Sequence, residues 1–81
     1  MELFQRYSIE SLAIFGSYSR NEQSENSDVD VLVDFNDKVG SLFIKLGDEL
    51  EILLGIKVDL VSRKGIKDDY FEAIKSDLRY V

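Results

Sequence analysis

Cysteine and histidine are both absent from this chain of 81 residues. Their absence excludes thiol nucleophiles, zinc fingers, Ser-His-Asp triads and imidazole acid–base catalysis. Any catalysis must therefore rest on carboxylates, hydroxyls, lysine, arginine or a hard metal ion. Positive charge is also scarce, because 10 lysines and arginines stand against 16 acidic residues, for a net charge of −6. This balance argues against a surface built to lie along phosphates, so long nucleic acid is not expected as a substrate.

Long apolar runs are missing as well. None approaches the roughly 18 residues that a membrane span requires, and residues 1–7 lack the basic and apolar regions of a signal peptide. These features predict a cytoplasmic protein without a membrane partner. No repeat, proline-rich linker or composition break divides the sequence, so we expect one domain over residues 1–81. A chain this short has few residues for a second substrate-binding domain. A partner in a complex could cover any apolar face that remains exposed.

Hydrophobic periodicity predicts three strands, at residues 11–15, 28–35 and 57–61. The alternation of side chains between the two faces is clearest in the second strand. One face carries valines and the other carries two aspartates and a leucine: Val29, Val31 and Val33 against Asp28, Asp30 and Leu32.

Helical segments are expected around these strands. A brief helical start reaches Tyr7, and residues 18 to about 23 tolerate a short helix. Ser41 can cap a longer helix that stops at Gly55, and a last helix is expected from Asp68 to about Leu78. The apolar stripe of the 41–55 helix is predicted to be core: Leu42, Phe43, Leu46, Leu50, Leu53 and Leu54. The predicted fold class is α/β (α+β), a small mixed β-sheet with flanking helices.

Gly16 and Ser17 directly follow the first predicted strand. At such a turn, backbone N–H groups and a hydroxyl can hold a phosphate. The same pair is also an ordinary turn and cap, so in isolation it indicates little.

Asp28 and Asp30 leave the second strand from one face, with attachment points about 6 to 7 Å apart. Two carboxylates so placed suit a pair of Mg²⁺ ions about 3.5 to 4 Å apart, which hold the attacking and leaving oxygens of an in-line phosphoryl displacement. The alternative is a solvated strand face, where Asp-x-Asp is common. Leu32 argues against it, because an apolar continuation of that face puts the aspartates at the entrance of a partly covered site.

Asp59 is the only charged residue in the apolar run 58–61. A third carboxylate on a neighbouring strand can complete metal ligation and accept the proton of an acceptor hydroxyl. The alternative is a strand-end residue paired with Lys57 or Arg63.

In this order, the Gly16-Ser17 turn, the Asp28-x-Asp30 strand and Asp59 resemble the nucleotidyltransferase superfamily that includes DNA polymerase beta and kanamycin nucleotidyltransferase. The likeness spans about Ile9 to Val61. In length and closing segment the chain looks most like the minimal nucleotidyltransferases encoded beside HEPN-domain proteins. The resemblance implies the polymerase-beta-like nucleotidyltransferase fold.

The resemblance also implies roles for individual residues. Gly16 and Ser17 would bind the β- and γ-phosphates of the nucleotide, and Arg20 would neutralise phosphate charge. Asp28 and Asp30 would ligate Mg²⁺, and Asp59 would be a third ligand or general base.

Two departures from the family pattern stand out. Asn21 occupies a position that is usually glycine, which could stiffen or reshape the loop beside the phosphates and reduce activity. The helix ahead of the first strand, normally several turns long, is cut to the few residues up to Tyr7, which could leave a surface open to a partner.

The implied function is transfer of AMP from ATP, with Mg²⁺, to a hydroxyl of a partner HEPN toxin, expected to be a tyrosine. Such transfer would silence the toxin in a hetero-oligomeric complex, which makes the chain an antitoxin. One alternative is a binding module that neutralises its partner by occlusion, although such a module needs none of the three aspartates. Another is transfer to an aminoglycoside-like small molecule, which would need an additional acceptor pocket.

Overall fold

The computed structural model of the protein describes residues 2–18, 20–22 and 28–81. Four strands, β1 (Ile9–Phe15), β2 (Val29–Phe35), β3 (Val58–Ser62) and β4 (Arg79–Tyr80), form one sheet in the order β3-β2-β1-β4. β1 pairs antiparallel with β2 and with β4, whereas β2 and β3 are parallel. The helices are α1 (Glu2–Arg6), α2 (Leu42–Leu54) and α3 (Asp68–Ile74), with 3-10 turns at Arg63–Gly65 and Lys75–Asp77. The expected mixed sheet with flanking helices is confirmed.

The core lies on the valine face of β2. Val29, Val31 and Val33 are at most 2% exposed, and they pack with Leu46 and Leu50 of α2 and with Leu3 and Tyr7 at the N-terminal end. The helix α2 therefore packs on this face and forms the crossover connection that the parallel strands β2 and β3 require.

Two predicted helices differ from the structure. The expected short helix after Tyr18 is wrong over the described residues, which form turns, and Gln23 lies outside them. Asn21 there has a left-handed backbone, with φ of 59°, which a continuing α-helix cannot contain. The last helix ends at Ile74 instead of about Leu78, because the chain turns into β4, where Tyr80 pairs with Ala13.

The predicted core stripe of α2 is only partly buried. Leu46 and Leu50 are buried, whereas Leu42, Leu53 and Leu54 are 38%, 66% and 48% exposed. An apolar groove of about 190 Å³ lies between α1, α2 and the sheet, lined by Leu3, Leu12, Ile14, Val31, Leu50, Leu53, Leu54 and Val81. Among the helices of the described chain, none has the length and apolar character needed to cross a membrane.

Candidate active site

Asp30 and Asp59 are neighbours across the parallel strands β2 and β3, where they occupy the same register position. Alternation along β2 puts Asp30 on the face opposite the valines, together with Leu32, which is 4% exposed. Asp28 precedes β2 and is exposed. The structure thus brings Asp30 and Asp59 side by side on a partly apolar face, and exposed Asp28 lies two residues before Asp30. No ion pair joins Asp59 to Lys57 or Arg63, which are described residues, so the alternative role as their partner has no support.

The electrostatics of the site centre on Asp30. Burial raises the pKa of its carboxyl group most, and the negative charges of Asp59 and Asp28 and hydrogen bonding with Asp59 raise it further. The positive charge of Arg20 lowers the pKa of Asp30, although this effect is the smallest of the five. Asp30 therefore lies in a crowded anionic site where a cation would be stabilised.

Gly16 makes room for the Asp30 carboxylate. Phe15 at the end of β1 pairs with Asp30 of β2, so the turn at Gly16 crosses directly beside that side chain. A Cβ atom at Gly16 would overlap the Oδ2 atom of Asp30. Gly16 also has φ of 77°, a left-handed conformation that side chains other than glycine seldom adopt. The left-handed backbone favours glycine here, and a larger residue would also displace the Asp30 carboxylate.

Backbone hydrogen bonds stabilise the turn after Gly16. The Arg20 N–H donates to the Gly16 carbonyl at 3.2 Å, and the Glu22 N–H donates to the Ser17 carbonyl at 2.8 Å. Asn21 in this turn adopts a left-handed conformation, with φ of 59°. Asparagine is among the residues that tolerate this conformation best, so the departure at Asn21 is compatible with the turn.

Arg20 is held by two carboxylates. Its Nε atom donates to Oε1 of Glu22 at 2.6 Å, and its Nη1 atom donates to Oδ2 of Asp77 at 2.5 Å. Asp77 and Arg79 lie beside Arg20, and sequence reasoning did not single them out. They line a polar pocket of about 330 Å³ with Arg20, Ser76 and Leu78. No local motif pointed to Asp77, because its contact with Arg20 joins positions 57 residues apart.

The side chains at this site carry the kind of ligand atoms that a hard divalent cation prefers. Within residues 2–18, 20–22 and 28–81, no three acidic side chains already converge as a ready metal-binding group. Asp30 and Asp59 nevertheless supply adjacent carboxylate oxygens, the ligand type that Mg²⁺ prefers. The like charges that raise the pKa of Asp30 are also those that a divalent ion would offset.

Asp30→Asn is expected to raise the melting temperature of the metal-free chain at neutral pH by about 3 °C or more. The folded-state pKa of Asp30 lies above its usual value. The protonated Asp30 carboxyl therefore stabilises the folded chain below the unfolded-state pKa, and this stabilisation is lost as the pH rises through the folded-state pKa. Thermal unfolding with a chelator at neutral and acidic pH checks this, with exposed Asp48→Asn as control. An equal gain at both pH values would contradict the assigned cause.

Comparison with known sequences places the chain in a family. The nucleotidyltransferase domain family matches residues 2–81, so the chain belongs to it and is a nucleotidyltransferase. A candidate protein adenylyltransferase of Methanocaldococcus jannaschii is 52% identical over 81 residues, covering 98% of this chain and 83% of the relative. Protein adenylyltransferase MntA of Thermococcus cleftensis is 42% identical over 81 residues, covering 99% of this chain and 82% of MntA.

Solved structures show the same fold and confirm the expected likeness to minimal nucleotidyltransferases. A candidate minimal nucleotidyltransferase superposes with a TM-score of 0.85 at 34% identity, over 96% of this chain and 81% of that one. A toxin–antitoxin crystal structure with AMP-PNP gives 0.81 at 24% identity, over 98% and 66%. A complex of a tri-AMPylated Shewanella oneidensis HEPN toxin with its MNT antitoxin gives 0.71 at 21% identity, over 98% and 62%. This chain thus spans slightly less than two thirds of the chains matched in these two complexes.

Proposed function

We propose that this nucleotidyltransferase transfers AMP from ATP to a tyrosine hydroxyl of a HEPN-type toxin and thereby acts as its antitoxin. The observation that carries the proposal is the pairing of Asp30 with Asp59 beside the Gly16 turn. Relatives named protein adenylyltransferases support the reaction. A structural neighbour with a tri-AMPylated HEPN toxin supports the acceptor. We also propose that the reaction takes place in the cytoplasm.

The proposed reaction is an in-line displacement at the α-phosphorus of ATP. The acceptor oxygen forms a bond to phosphorus, the bond from phosphorus to the bridging oxygen breaks, and pyrophosphate leaves. Bound Mg²⁺ would neutralise the charge that develops on the attacking and leaving oxygens. We assign Asp28 and Asp30 as its ligands and Asp59 as a further ligand or as the base that takes the hydroxyl proton.

The phosphate side of the site is assigned to the turn after β1. Gly16 and Ser17 are proposed to bind the β- and γ-phosphates, and Arg20 to neutralise their charge. The left-handed Gly16 and the hydrogen bonds across residues 16–22 support this assignment, because they fix the backbone of a tight turn directly beside Asp30.

The test of this function is incubation of the chain with its partner toxin, Mg²⁺ and labelled ATP, followed by intact mass spectrometry of both proteins. The native chain is expected to add one or more AMP masses to the toxin. Asp28→Asn/Asp30→Asn is expected to add none, because both assigned ligands lose their charge. Peptide mapping of the modified toxin would identify the acceptor residue.

A second candidate function, neutralisation by occlusion, is favoured by the apolar groove beside α1, which a binding partner could cover. It predicts that the toxin gains no mass and that the native and the Asp28→Asn/Asp30→Asn chains neutralise it equally well. Modification of an aminoglycoside by the isolated chain would instead support the small-molecule alternative.

A further inference from the structure

We propose that Asp77 is a positioning residue that presents Arg20 to the nucleotide phosphates, and that Glu22 is the partner of Arg20 that the phosphates displace. The inference rests on the proposed function, since it concerns nucleotide binding at the same site. It adds the C-terminal segment around Lys75–Asp77 to a phosphate site otherwise built from the turn after β1.

The Arg20 guanidinium donates hydrogen bonds to two carboxylates. Glu22 accepts from Nε and Asp77 accepts from Nη1, through separate nitrogen atoms. Because a guanidinium carries five N–H donors, these two bonds leave donors for a third acceptor. Asp77 contacts Arg20 from the C-terminal segment, and the Arg20 backbone N–H donates to the carbonyl of Gly16, whose turn lies against Asp30.

The two carboxylates differ in how firmly they are held. The side chain of Glu22 is 63% exposed, whereas that of Asp77 is 25% exposed. Asp77 also lies in a 3-10 turn that leads directly into β4, which is hydrogen-bonded to the edge of β1. An exposed glutamate is the easier partner to exchange, because its ion pair is solvated and costs side-chain entropy to maintain.

The charge balance gives the two carboxylates opposite expected effects. With both bound, two negative charges surround the single positive charge of Arg20, which opposes the approach of a phosphate. Release of Glu22 removes one of these charges, while Asp77 keeps the long arginine side chain ordered for the phosphate. Loss of Asp77 should therefore weaken nucleotide binding, and loss of Glu22 should strengthen it.

The experiment measures MgATP affinity by calorimetry, and KM and kcat with the partner toxin, for the full chain. Asp77→Asn is expected to raise Kd and KM for MgATP about fivefold, with a smaller change in kcat, since a positioned charge pair contributes modestly. Glu22→Gln is expected to lower Kd about twofold. Glu72→Gln is the matched control, because it removes an exposed ion pair with Lys75 in the same segment.

A double-mutant cycle separates positioning from structural support. In an Arg20→Gln background, Asp77→Asn should no longer change MgATP affinity. In the native background, Asp77→Glu should retain more of the native affinity than Asp77→Asn. Similar losses from Glu22→Gln and Asp77→Asn, or a loss from Asp77→Asn that persists without Arg20, would overturn the inference. If the native chain itself binds no MgATP, the proposed function fails. If it binds and Asp77→Asn binds equally, only the positioning role fails.

Discussion

Gly16→Ala is expected to reduce AMP transfer about 100-fold or more, because a Cβ atom there would overlap Oδ2 of Asp30. The overlap involves backbone at a tight turn on one side and an assigned metal ligand on the other, so relief requires one of them to move. Alanine must also adopt the left-handed backbone of Gly16, which costs about 1 to 2 kcal/mol. Transfer rate and thermal unfolding, measured on the same preparation, check the two effects together.

Gly55→Ala is the matched control for Gly16→Ala. Gly55 ends α2 with φ of 70°, close to the 77° of Gly16, yet a Cβ atom there would meet nothing within 4 Å. Both variants should therefore lose similar stability from backbone strain, and only Gly16→Ala should lose transfer activity. Comparable activity losses in the two variants would show that strain, not the approach to Asp30, explains the effect.

Asp59→Asn is expected to lower the rate of AMP transfer about 10²- to 10⁴-fold, the range associated with removal of a positioned base. The variant should fold, because Asp59 is exposed and its neighbour Asp30 is relieved of a repelling charge. Loss of that charge should also lower the pKa of Asp30 toward its usual value. Single-turnover transfer to the toxin measures the rate, and carboxyl NMR titration measures the pKa.

The control for Asp59→Asn is Asp48→Asn, which removes an exposed carboxylate from α2. It should leave both the transfer rate and the pKa of Asp30 unchanged. If Asp59→Asn retains near-native transfer, Asp59 is neither the base nor a required ligand. A lowered pKa of Asp30 in that variant would still confirm the proximity of the two side chains.

The sequence was informative where the signal was local. Alternation along residues 28–35 predicted which face of β2 is buried, because strand side chains alternate strictly from face to face. The end of α2 at Gly55 was likewise predictable from glycine chemistry. The aspartate constellation was recognisable because its members lie in short, regular strands whose order resembles a known superfamily.

The features that the sequence did not predict depend on contacts between segments far apart in the chain. A two-residue strand such as β4 has no periodicity of its own, and it forms because β1 offers a free edge. The contact of Arg20 with Asp77 depends on where that strand brings the chain. Helical periodicity predicted the apolar side of α2, but it could not show that Leu53 and Leu54 at the end of that side remain exposed.

The parallel pairing of β2 and β3 has a consequence for the thermodynamics of the whole chain. Asp30 and Asp59 meet through the parallel pairing that the α2 crossover makes possible, so unfolding of the sheet separates the two carboxylates. Any nucleotide bound there would act as a folding ligand, adding about 2.7 kcal/mol at a hundredfold excess over its Kd. At roughly 0.05 to 0.15 kcal/mol per residue, a chain of 81 residues has a total stability of about 4 to 12 kcal/mol, so this gain is about a quarter to two thirds of that total. Substrate binding would therefore raise the free energy of unfolding of this small protein by a substantial fraction.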